Sequence, residues 1–350
     1  MFKNFDWIIV VCVLVLAGFS LTVIFSIFPG LFLAQLIFFI FSFLVFFFFS
    51  QIDHRLYQAL WLPIYFVSCI LLLVTFVVGI ESRGAIRWIE IGNFRLQFSE
   101  LLKPFFITSL AAVLIQFPPK NLKNFLFSCS FFLVPFFLVF RQPDLGSAIV
   151  YILSFGGLVF VSGISLSYIL ASIFIILSSA PLLWNFLKDY QKTRLLSFFN
   201  PGQDPLGSSY NAIQAVIAVG SGMIFGKGLG RGTQSHLNFL PERHTDFIFA
   251  SLAEEFGYVG VLLILVTYFI IFLRIFKLIQ MSSDKYTILL LTGFLFILLS
   301  QFFINIGMNI GLLPITGITL PLISYGGSSI LATMIMLGII ESIAKEQRLR

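Results

Sequence analysis

Long uncharged tracts, broken by proline, glycine and short polar runs, dominate the chain. Trp7 to Ile52 holds no charged residue, and Pro29-Gly30 interrupts it where a hairpin turn would sit, so it reads as two helices. Leu145 to Leu187 is likewise uncharged and is divided by Ser162-Gly163-Ile164-Ser165, while Tyr286 to Ile340 is uncharged with a Gly/Pro-rich middle. A membrane-spanning helix needs roughly 20 apolar residues, so an uncharged tract of twice that length must fold back on itself in the bilayer. The pattern predicts spans near 7–28, 31–50, 59–80, 100–116, 125–141, 146–162, 167–187, 246–272, 286–305 and 325–343, about ten in all. Residues 188–245 form a large loop between the seventh and eighth spans. The expected fold is all-α, a single polytopic membrane domain over 1–350. The first span is too long for a signal-peptide core and lacks a small-residue cleavage site, so it is expected to stay in the membrane.

Composition agrees. Of 350 residues, 59% are hydrophobic and 10% charged, with a mean hydropathy of +1.04, more apolar surface than a soluble domain can bury. Lys and Arg in short loops set orientation. With the N-terminus inside, the inner segments hold Lys3, Arg55, Lys120, Lys123, Arg274, Lys277, Lys285, Lys345, Arg348 and Arg350, against Arg83, Arg87, Arg95 and Arg141 outside. That imbalance predicts an N-in, C-in protein. The net charge of +6 is spread over both sides, with no basic stripe interleaved with aromatics, which excludes nucleic acid as a partner. Cys12, Cys69 and Cys129 lie isolated within spans and read as packing residues.

Polar residues at membrane depth must be paired, hydrated or functional, and here they gather on the outer side. The loop from Glu81 to Glu100 leads into Leu101-Leu102-Lys103, placing Glu100 and Lys103 on one helix face as an ion pair or a working site. Trp88 in that loop reads as an interfacial residue. In Arg141-Gln-Pro-Asp144-Leu-Gly-Ser147, Asp144 reads as a helix cap. The long loop suits a cover over a cavity, having too little apolar content for its own core. Its run Gly226-Lys-Gly-Leu-Gly-Arg-Gly232 lacks the spacing of a phosphate loop and is no nucleotide site. Glu242, Asp246, Glu254 and Glu255 crowd the start of the eighth span, more carboxylates than capping requires, and point to function. Met308 to Ser329 carries two prolines and four glycines, implying broken helix beside a polar cavity.

Three long motifs carry a family likeness: Arg-Gln-Pro-Asp-Leu-Gly at 141–146, Gly-Thr-Gln-Ser-His-Leu-Asn-Phe-Leu-Pro-Glu-Arg-His-Thr-Asp-Phe-Ile-Phe at 232–249, and Leu-Pro-Leu-Ile-Ser-Tyr-Gly-Gly-Ser-Ser at 320–329. Together they resemble the SEDS family of bacterial peptidoglycan glycosyltransferases, and Arg243 before the histidine is closer to its elongation member RodA than to its division member FtsW. The resemblance implies ten helices in the bacterial cytoplasmic (inner) membrane and polymerisation of lipid II on the outer face. It also implies a class B penicillin-binding protein, a transpeptidase, as partner. By motif, Asp246 matches the family's essential acidic residue. Arg95, Glu100, Lys103, Asp144, Gln191 and Arg194 match its charged cavity residues, and Trp88 a tryptophan of the first outer loop. Phe98 stands where the family usually has proline, and Ser147 replaces a common threonine; neither removes a charge.

Making a β-1,4 bond from an α-linked sugar pyrophosphate requires inversion, hence a base on the acceptor hydroxyl and positive charge on the leaving group. Asp246 is the expected base, with Lys103, Arg95 and Arg194 as candidates for the pyrophosphate. No spacing specifies a metal site; the cofactor expectation is none, or a divalent cation such as Mg or Mn. The competing class is a transporter or flippase of the lipid-linked precursor, since intramembrane charges and broken helices suit transporters equally. A scaffold that only recruits the penicillin-binding protein is the third.

Overall fold

Capping residues start the helices where the uncharged tracts begin. The structure, a computed structural model, describes residues 5–349 except 83, 84, 93, 201, 203, 205, 206, 208 and 238. Lys3, Arg83 and Arg350, and Pro201, Gln203 and Pro205 of the long loop, lie outside the described residues. Asp6 accepts the Ile8 N–H and opens α1 (Trp7–Ile27), and Pro29, whose missing N–H costs nothing in a first turn, opens α2 (Pro29–Phe49). Asp53 caps α3 (His54–Ala59), which runs on into α4 (Trp61–Val78). A sheet follows, β1 (Ile80–Ser82), β2 (Ala85–Ile91) and β3 (Phe94–Leu96), antiparallel in that order. Next come α5 (Phe98–Leu101), α6 (Lys103–Gln116), α7 (Leu122–Arg141), α8 (Leu145–Val161) and α9 (Leu166–Phe186).

The long loop contains α10 (Asp189–Phe199), α11 (Tyr210–Ser221) and α12 (Thr233–His236). The chain ends with α13 (Ile248–Met281), α14 (Lys285–Asn309) and α15 (Gly327–Leu349). Seven helices among the described residues are long and apolar enough to cross a membrane: α1, α2, α4, α7, α13, α14 and α15. Shorter apolar helices occupy Lys103–Gln116, Leu145–Val161 and Leu166–Ser179. In α2 only Gln35, Phe39, Ser42 and Phe46 are buried, while Leu33, Phe41, Leu44 and Phe48 face outward. That is the inverse of a soluble helix and suits a lipid solvent. Cys12 and Cys69 are buried and Cys129 is half-buried, all with free thiols.

Three features depart from the sequence reading. The segment before Glu100 is a three-stranded sheet, so the fold is not purely helical. The eighth span extends to Met281, which puts Arg274 and Lys277 inside α13 rather than in a loop. Moreover, α13 is broken at Gly257, whose φ of 64° only glycine adopts without strain. The cause is an inserted strap. Tyr258 and Val259 donate N–H bonds to the Met223 and Ile224 carbonyls, and Lys227 and Gly228 donate to the Glu254 and Glu255 carbonyls. A Cβ on Gly257 would meet the Gly226 nitrogen at 2.2 Å, so a side chain there would expel the strap.

The chain divides into two compact units, one of Met1–Ile52, Arg194–Leu278 and Leu298–Arg350, the other of Asp53–Thr193 and Ile279–Ile297. In the first, α15 packs along α2 so closely that a Cβ on Gly338 would meet the Phe46 carbonyl oxygen at 2.7 Å. This unit has two polar ends, joined by α1. At the start of α1, Asp6 pairs with Arg274 and its N–H donates to Glu341. At the other end Arg243 donates to the Ile27 carbonyl and Ser26 donates to Glu255. In the second unit, α4 packs on α6 and α7 and carries β2.

Candidate active site

Asp246 precedes α13 at the end of the first unit that lies away from Arg274. Its neighbours in sequence are anchored below it: Phe247 is buried with Leu240, Ala215, Ala218 and Ala250 in an apolar plug. Three successive carbonyls are held as well. The Tyr325 N–H donates to His244, the Ser324 hydroxyl to Thr245 at 2.7 Å, and the amides of Asn305 and Asn309 to Asp246 at 3.1 and 3.0 Å. With backbone fixed on one side and Phe247 on the other, the Asp246 carboxylate is left half-buried, facing the broken segment after α14.

Gly317, with φ 76°, lies against that carboxylate. A Cβ there would be 3.4 Å from Asp246 Oδ2 and 3.8 Å from Arg194 Nη1, so both groups border one small space. Arg194 is exposed on α10 and reaches the Ile315 carbonyl with Nη1 at 3.4 Å. It also lines an open cavity of about 290 Å³ with Ile213, Val216, Leu313 and Pro314. A carboxylate, a guanidinium and an adjoining apolar cavity can serve a polar head with a lipid tail.

The other acidic residues near Asp246 have structural work. Glu254, fully buried, accepts from Lys227, Thr233, the Gln234 and Ser235 N–H groups and the Ser235 hydroxyl. Glu255 accepts from Ser26 and the Gly230 N–H, with His236 Nε2 at 2.9 Å. Both carboxylates hold the strap across the break in α13. Glu242 accepts locally from Thr245. The surplus of carboxylates read from the sequence is therefore an anchor, and Asp246 stands apart from it.

The second unit gathers Glu100, Lys103 and Asp144. Lys103 is 1% exposed and donates to Glu100 at 2.5 Å, and the Ser147 hydroxyl donates to the same oxygen at 2.9 Å. Asp144 caps α8 by accepting the Ser147 N–H, and takes further bonds from Gln97 and Ser99. Burial alone would raise the Asp144 carboxyl. The Arg87 charge, the Ser147 bonds and the Lys103 charge outweigh it and hold the group below its ordinary value.

Such a group stabilises the fold above its unfolded value of about 3.9, and that contribution is lost as pH falls through the depressed folded value. The unfolding-temperature advantage of the native chain over Asp144→Asn should accordingly be full above about pH 5 and shrink below about pH 4.

The remaining candidates are peripheral in their units. Gln191 is buried and accepts the Lys188 N–H at the start of α10. Arg95 is exposed on β3 and pairs with Glu90 at 2.7 Å; Trp88 is half-buried on β2 opposite Ile80. The sequence reading missed Asn305, Asn309 and Gly317. Two amides four residues apart in an apolar span were the available signal for the first two.

Comparison with known proteins matches residues 5–349 to the FtsW/RodA/SpoVE family model, described as cell cycle protein. The chain is 40% identical over 304 residues to the peptidoglycan glycosyltransferase MrdB of Escherichia coli K12, covering 86% of this chain and 82% of that one. It is 36% identical over 314 residues to a probable peptidoglycan glycosyltransferase FtsW of Geobacter metallireducens, covering 85% and 80%. Its fold matches a chain described under structural coordination of polymerization and crosslinking by a peptidoglycan synthase complex, with TM-score 0.85, 31% identity and 99% coverage of both. It matches the rod shape determining protein RodA of Thermus thermophilus with TM-score 0.74, 28% identity and coverage of 98% and 97%. The chain belongs to the FtsW/RodA/SpoVE family.

Proposed function

We propose that this chain is a peptidoglycan glycosyltransferase that polymerises lipid II during cell elongation and shape maintenance. It works with a class B penicillin-binding protein that crosslinks the new strand. The observation that carries the reading is the pinned Asp246 beside Arg194, in a chain 40% identical to a peptidoglycan glycosyltransferase over 86% of its length.

The acceptor hydroxyl attacks the anomeric carbon of the donor sugar, a β-1,4 bond forms, and the bond to undecaprenyl pyrophosphate breaks with inversion. Asp246 takes the hydroxyl proton. An ordinary aspartate, with pKa about 3.9, accepts it only as the new bond forms, so its placement matters more than its basicity. Arg194, whose guanidinium borders the same space at Gly317, takes the pyrophosphate charge. Arg95 and Trp88, at the exposed sheet, contact substrate directly. Glu100, Lys103, Asp144 and Gln191 are engaged in internal bonds and act by holding the backbone around the substrate.

A divalent ion, Mg or Mn, fits beside Asp246 only as one that keeps its waters and shares the substrate phosphates, because a single carboxylate is no complete cage. The three shorter apolar helices bring the spans to ten, N-in and C-in, in the cytoplasmic membrane. Asp246 then faces outward, since Asp6, Arg274 and Glu341 gather at the other end of its unit.

Expression in a rod-shaped bacterium depleted of its elongation polymerase tests the elongation role. Rods should return; round cells, together with rescue of a division-depleted strain, would assign the chain to division.

A further inference from the structure

We propose that Asn309, with Asn305 one turn before it, is a positioning residue that keeps Asp246 out of helix α13 and aimed at the reacting hydroxyl. The inference rests on the Asp246 reading above. In an uninterrupted helix the Ala250 N–H would donate to the Asp246 carbonyl four residues earlier. Here the Asn309 side chain is spliced into that bond: its Nδ2 donates to the Asp246 carbonyl at 3.0 Å and its Oδ1 accepts the Ala250 N–H at 3.1 Å.

One amide replaces one helical bond and holds residue 246 away from the helix by the width of a side-chain head. Asn305 fixes the opposite wall. Its Nδ2 donates both to the Asp246 carbonyl at 3.1 Å and to Ile318 at 2.7 Å, and Ile318 follows the glycine that borders the Asp246 carboxylate. The two asparagines are fully buried, and Asn309 also donates to the Asn305 carbonyl at 2.8 Å, so the pair is internally braced.

Buried amides are costly unless satisfied, and each of these directs a donor at Asp246, outside their own helix. Without the Asn309 amide, Asp246 and Ala250 can close the ordinary helical bond. The fold then survives, and the carboxylate turns with the new helical residue. A misplacement of about 1 Å at a reacting group costs on the order of 100-fold in rate.

The test compares polymerisation of lipid II by native protein, Asn309→Ala, Asn309→Gln and Asp246→Asn, each in complex with its class B penicillin-binding protein. Asn309→Ala should unfold within a few degrees of native, lose roughly 10- to 100-fold in kcat and keep KM within about twofold. Asn309→Gln, which retains the amide, should recover part of the rate. If Asn309→Ala does not accumulate, Asn305→Ser is read against the same values. A kcat within twofold of native for the alanine variant, or kcat falling only in step with thermal stability, overturns the positioning role. An active Asp246→Asn overturns the Asp246 reading and this proposal with it, whereas an inactive Asp246→Asn beside a fully active Asn309→Ala overturns this proposal alone.

Discussion

Asp246→Asn should leave the helices, the strap and the partner complex intact while lowering kcat for glycan synthesis by about 10²- to 10⁴-fold, the range a general base supplies. The substitution is nearly isosteric. The elements that place residue 246 act on its main chain, through the carbonyls of His244, Thr245 and Asp246, and on Phe247 in the apolar plug. The substitution leaves these main-chain contacts in place and keeps the shape of the side chain, so the loss should appear in kcat rather than in folding. Binding of lipid II should be little changed, because the role proposed for Asp246 acts on a hydroxyl only as the bond forms. Steady-state kinetics alongside thermal unfolding separates these expectations; a variant that unfolds early would make the residue structural.

The largest effect on stability should come from the Glu100–Lys103 pair. Removing one partner breaks a buried ion pair, which costs roughly 3–5 kcal/mol where solvent is excluded. Lys103 is 1% and Glu100 7% exposed, so solvent gives little relief. Lys103→Met should therefore unfold far earlier than native, and Glu100→Gln likewise. The Ser147 hydroxyl, which bonds the same Glu100 oxygen, cannot replace an ammonium. Combining the two substitutions removes both charges together and should recover most of the loss, a non-additive result that single variants cannot give. Because the pair is assigned to holding the backbone, the double variant should also regain polymerisation. Recovery of stability without polymer would transfer Lys103 to the substrate. Denaturation of the purified variants, followed by activity of the double, measures both.

Much of the fold was legible in the sequence because a bilayer imposes a simple rule on length and polarity. The uncharged tract from Trp7 to Ile52 divided at Pro29-Gly30, where α2 begins. Asp144 read as a cap because a Pro-Asp-Leu-Gly turn announces one, and it caps α8. The rest depended on partners distant in sequence. Arg274 looks like a loop charge until Asp6 is seen beside it. Gly257 is one glycine in a helical pattern, and its break is made by a strap some 30 residues earlier. Glu254 and Glu255 suggested chemistry because their donors, from Lys227 to His236, could not be assigned to them from spacing. The strands were more accessible: Ala85–Ile91 is rich in isoleucine and carries a tryptophan, residues that favour strands, and Gly92, with φ 62°, opens the turn into β3. Asn305 and Asn309, uncharged within an uncharged tract, stand out only once their bonds to Asp246 are seen.

The central claim is that this chain itself joins lipid II units at the carboxylate held before α13. The measurement that tests it most directly reconstitutes the purified chain in liposomes with its penicillin-binding partner, the transpeptidase blocked, and labelled lipid II, and resolves the products by length. A ladder of glycan strands that disappears with Asp246→Asn is the predicted result. Labelled precursor that crosses the bilayer and remains monomeric, with native and variant alike, would contradict it.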